Sequence, residues 1–76
     1  MAEPLAQLLE QTKGRLGAAS YRALGARNAS LAAQLQDRAN QCAAWLSLVS
    51  QGGVTPEREA GMRKACAEYR RLCGEV

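Results

Sequence analysis

The chain has 76 residues, a length that holds one domain and buries only about 60% of the surface its unfolded form would expose. Hydrophobic residues make up 47% of the sequence and the formal net charge is +3, values of a globular chain that exclude one too polar to fold. Histidine is absent and no run approaches the roughly 18 apolar residues that cross a bilayer, so imidazole catalysis is excluded and no membrane span is expected.

The choice of apolar residues points to helices. Phe and Ile are absent, Val occurs only at Val49, Val54 and Val76, and Ala and Leu dominate. Strands favour β-branched and aromatic residues, whereas helices favour Ala, Leu, Arg, Gln and Glu. The expected fold is all-α: residues 1–76 as a single helical domain, a small three-helix bundle built on a long antiparallel hairpin with a short N-terminal helix. The bias towards Ala, Arg and Gly matches GC-rich coding, which suggests a bacterial or phage source. The start Met1-Ala2-Glu3-Pro4 has neither a charged nor an apolar leader segment, so the expected location is cytoplasmic.

Helix one is expected over about residues 4–15. Pro4 suits the first helical position, and Leu5, Leu8, Leu9, Thr12 and Leu16 fall on one stripe. Gly14 and Gly17, with Lys13 and Arg15 at the carbonyl end, mark its expected stop.

Helix two is expected from around Ser20 to Gln51, about 46 Å at 1.5 Å per residue, with Gly52-Gly53 ending it. Leu24, Leu31, Leu35, Ala39, Cys42, Leu46 and Val49 follow in steps that form a packed seam. Gly25 and Asn28 interrupt it, and a kink or a later start near residue 28 is the alternative. The sequon Asn28-Ala29-Ser30 is read as a chance match.

Helix three has the sharpest boundary. Thr55 suits a cap, Pro56 suits the first turn, and Glu57 and Glu59 put negative charge at the positive end of the dipole. It is expected over residues 56–73, with Met62, Cys66, Tyr69 and Cys73 inward and Gly74 as the stop. Counting outward from the turn between helices two and three sets Trp45 near Met62, Cys42 near Ala65 and Cys66, Leu35 near Leu72, and Leu31 near Val76. Helix one would then cover the part of helix two that overhangs helix three, burying Leu9 and Leu31.

The chemical inventory is thin: seven carboxylates, two lysines, no phosphate loop and no nucleophile elbow. No enzyme activity and no cofactor are expected. Cys42, Cys66 and Cys73 lack metal-ligand spacing and are read as buried, reduced, small hydrophobes. A Cys42–Cys66 bridge is the alternative that a reducing cytoplasm disfavours.

By elimination, the expected function is a non-enzymatic adaptor or inhibitor that occludes or tethers a larger protein. Trp45 and Leu48 are the candidate apolar anchors, and Arg22, Arg27, Arg63 and Arg70 the candidate charged contacts. Trp45 is alternatively a core residue filling space beside Gly61. Basic residues form two groups, Lys13, Arg15, Arg22 and Arg27 in the first and Arg63, Lys64, Arg70 and Arg71 in the second.

A basic nucleic-acid-binding regulator is the runner-up. A recognition-helix reading of Thr55 to Arg71 is weakened by the long preceding helix and by Glu57, Glu59 and Glu68, which would meet phosphates. A homo-dimer, a larger homo-oligomeric bundle or a secretion-chaperone-like protein is the third reading.

Overall fold

The computed structural model describes residues 3–74. They form three helices, α1 (Leu5–Gly25), α2 (Ala29–Ser50) and α3 (Pro56–Cys73), with no strand among the described residues. No helix is long and apolar enough to cross a membrane.

The N-terminal helix is not short. α1 runs through Gly14 and Gly17 to Gly25, so Ser20–Gly25 belong to it and not to helix two. A glycine costs about 1 kcal/mol against alanine in a helix interior, and the burial gained on the opposite face outweighs that cost. Leu5, Leu9, Thr12, Leu16, Ala19, Ser20 and Ala23 make one continuous buried stripe past both glycines. Gly14 and Gly17 face open space.

The break falls at residues 26–28. Asn28 N–H donates to the Ala23 carbonyl at 2.8 Å and Arg27 N–H to that of Leu24 at 3.0 Å, while Arg27 takes φ 61°. This paired-bond ending normally places glycine at the left-handed position. Asn28 then caps the next helix, its Oδ1 accepting from Leu31 N–H at 3.2 Å. The later start of helix two near residue 28 is therefore the correct alternative. The same ending recurs after α2, where Gly52 at φ 76° donates to the Val49 carbonyl and Gly53 donates to that of Leu48.

The α3 boundaries agree with expectation. Thr55 Oγ1 accepts from Arg58 N–H at 3.2 Å, and Glu57 and Glu59 occupy the first turn. Pro4 sits one position before the first turn of α1, where its carbonyl accepts from Leu8 N–H.

α1 shares its most extensive interface with α2, a smaller one with α3, and α2 and α3 approach each other least. Side-chain size accounts for this order. Ala19, Ala23, Ala32 and Ala39 are all buried, and such short side chains let α1 and α2 come close. Between α2 and α3 stand larger groups: the Trp45 and Tyr69 rings stack at 6.2 Å between centroids and 7° between planes, and the Arg38 guanidinium lies 6.0 Å from the Tyr69 ring centre. The hairpin of helices two and three, expected to be the centre of the fold, is thus its loosest pairing.

Leu24, assigned to the seam of helix two, is exposed on α1, and Ala23 takes the buried position beside it. Leu9 is fully buried and Leu31 half-buried. The register Cys42 to Cys66 holds, both thiols being buried and Cys66 lying near enough to act on Cys42. The expected Leu31–Val76 pair lies outside the described residues.

Candidate functional site

Each sequence-nominated contact residue has a definite setting. Trp45 is half-buried on Tyr69, so part of its ring surface serves the fold. It does not fill a gap left by Gly61, which is exposed and faces open space. Leu48, one helical turn along from Trp45, is 37% exposed. Arg63 Nε donates to Glu59 Oε2 at 3.0 Å, an i, i+4 pair on α3 that occupies its charge locally.

The remaining candidates lie elsewhere. Arg22 is exposed in the last turn of α1, and Arg27 is exposed in the left-handed position of the following turn. Arg70 is half-buried on α3, and its Nε is buried without a hydrogen-bond partner. Arg15, Arg22 and Arg70 line one cleft of about 310 Å³ together with Ala18, Cys73 and Gly74. The two basic groups read along the chain therefore meet in space through these three members.

Two residues escaped the sequence reading. Tyr21 is 81% exposed and Leu24 is 57% exposed, and with Leu48 they are the exposed large apolar side chains among the described residues. They stand three apart on α1, hence on one face. The signal was present in the Tyr21-x-x-Leu24 spacing, but starting helix two at Ser20 turned Leu24 inward.

The cysteines sit in apolar surroundings. Burial, reinforced by the neighbouring Cys66 and Cys73, pushes the Cys42 thiol up to about 11. Burial also raises Cys73, a rise that Arg22 and Arg15 partly offset. Neither setting favours the thiolate that a nucleophile needs. Tyr69 is raised as well, again chiefly by burial. Among the described residues no group of three or more Cys, Asp or Glu side chains gathers as metal ligands would.

Comparison of the chain with family models, curated proteins and solved structures found no match.

Proposed function

We propose that the chain is a non-enzymatic protein-interaction module, an adaptor or inhibitor that binds a larger bacterial or phage protein in the cytoplasm and acts by occluding or tethering it. The observation that carries this reading is the exposed Tyr21–Leu24 face of α1, flanked by Arg22 and Arg27. Neither arginine forms an ion pair among the described residues. Tyrosine and arginine are enriched where binding energy concentrates, and a long helix holds their backbone already ordered. The complementary partner surface is an apolar pocket with an acidic rim. Trp45 and Leu48 form a second, smaller apolar contact.

The arrangement that presents these faces is an up-down-up bundle. Its support is the short turns at 26–28 and 51–55, the bond from Ser20 Oγ to the Ala32 carbonyl at 3.0 Å, and the Cys42–Cys66 contact.

Affinity purification of the tagged chain from its source cells, with and without nuclease, tests the reading. A protein partner that survives nuclease and is lost with Tyr21→Ala supports it, the expected cost being on the order of 2 kcal/mol of binding free energy. Trp45→Ala weakens binding through the second contact only in so far as the fold survives. A partner that disappears with nuclease favours the nucleic-acid reading, whose affinity falls with log salt at a slope of about −0.9 per phosphate contact. Concentration-dependent self-association that buries Tyr21 favours the homo-oligomer.

A further inference from the structure

We propose that the cleft between α1 and α3 is a binding site for a phosphate monoester, held by Arg15, Arg22 and Arg70. The proposal does not rest on the adaptor reading, with which it shares only Arg22. Arg15, Ala18 and Arg22 fall at i, i+3 and i+7, one face of α1, and the small side chain of Ala18 leaves a hollow between the two arginines. Arg70 closes the hollow from α3, with Cys73 and Gly74 beside it.

No carboxylate among the described residues pairs with any of the three guanidinium groups, and Arg70 Nε is buried with no acceptor. Helix dipoles account for two of them, because Arg22 and Arg70 lie in the last turns of α1 and α3. They do not account for Arg15, which stands mid-helix. Three like charges converging on one hollow repel one another until an anion fills it.

Charge and shape select the anion. A single carboxylate satisfies one guanidinium in a two-bond fork, whereas a phosphate monoester carries nearly two charges at pH 7 and three strong acceptor oxygens. A nucleic-acid backbone offers one charge per phosphate along an extended track, and this site is a short cleft. Its volume of about 310 Å³ stands at the lower end of ligand pockets, enough for a phosphate on a small organic body or on one side chain. Cys73 is the only cysteine lining the cleft, so its alkylation relative to that of the likewise buried Cys42 and Cys66 reports occupancy.

Titration with phenyl phosphate, followed calorimetrically and by the rate of Cys73 alkylation resolved by mass spectrometry, tests the site. The expected result is saturable one-to-one binding that slows Cys73 alkylation. Benzoate and dimethyl phosphate should bind at least tenfold more weakly at equal ionic strength. Affinity should fall below pH 6, where the monoester takes up its second proton. Arg15→Ala with Arg22→Ala changes two exposed positions and should weaken binding tenfold or more with the helical signal intact. Ala18→Leu should weaken it similarly with every charge retained. Tighter binding of a phosphoserine peptide than of free phosphoserine assigns the monoester to a protein partner, and the reverse order assigns it to a small molecule; either order supports the site. Non-saturable binding, equal binding of a single-stranded oligonucleotide lacking terminal phosphates, or affinity unchanged in the arginine and Ala18 variants would overturn it.

Discussion

At Arg27 the backbone adopts a conformation that costs a side-chain-bearing residue about 1 kcal/mol and a glycine almost nothing. Gly52 fills the same role after α2. The two turns therefore predict opposite outcomes: Arg27→Gly raises stability by up to about 1 kcal/mol, and Gly52→Ala lowers it by about as much. Thermal unfolding checks both, since 1 kcal/mol moves the midpoint by roughly 4 to 8 °C in a domain of this size.

Cys42 gives a prediction in pH. Its thiol is raised in the folded state from an ordinary value of 9.0 to about 11. Above pH 9 the unfolded chain releases this proton while the folded chain keeps it, so the unfolded state gains. Stability falls as pH rises from 9 to 11, by about 2 kcal/mol from this group. Below pH 9 Cys42 contributes no pH dependence. Cys42→Ala should flatten that part of a denaturation series against pH, whatever it does to stability at neutral pH.

Among the helices, α1 gives the sharpest test of what holds an element together. Gly14 and Gly17 face open space inside it, so Gly14→Ala and Gly17→Ala should each stabilise by about 0.5 to 1 kcal/mol, read from urea unfolding. If α1 ended at residue 15, alanine at Gly17 would be neutral or harmful.

The all-α class, the third helix with its Thr55 cap, the α1 stripe through Leu16 and the Cys42–Cys66 register were legible from residue type and spacing. The α1–α2 boundary was not, because its left-handed residue is an arginine while two glycines inside α1 imitate a stop. That one boundary carried most of the further consequences. It hid the exposure of Tyr21 and Leu24 and kept Arg15 and Arg22 apart from Arg70. It also put the expected closest packing between α2 and α3, whereas α1 and α2 share the most extensive interface.

For the whole molecule, the net charge of +3 acts through a few placed arginines. Arg63 is paired with Glu59 and Arg70 is half-buried, so reversing either one perturbs α3 itself. Arg22 and Arg27 are exposed beside the apolar face, and replacing both with Glu should slow partner association more than it speeds dissociation, the signature of rim charges. Surface plasmon resonance at two salt concentrations separates the two rates.

Partner binding through the Tyr21–Leu24 face is the property most open to direct test. Both side chains are exposed, so Tyr21→Ala with Leu24→Ala should leave the melting temperature within a few degrees of the parent. Nuclease-treated affinity purification of parent and double variant, side by side, is the decisive measurement. The account predicts a stoichiometric protein partner with the parent and its loss with the folded double variant. Equal recovery of that partner by both would contradict it.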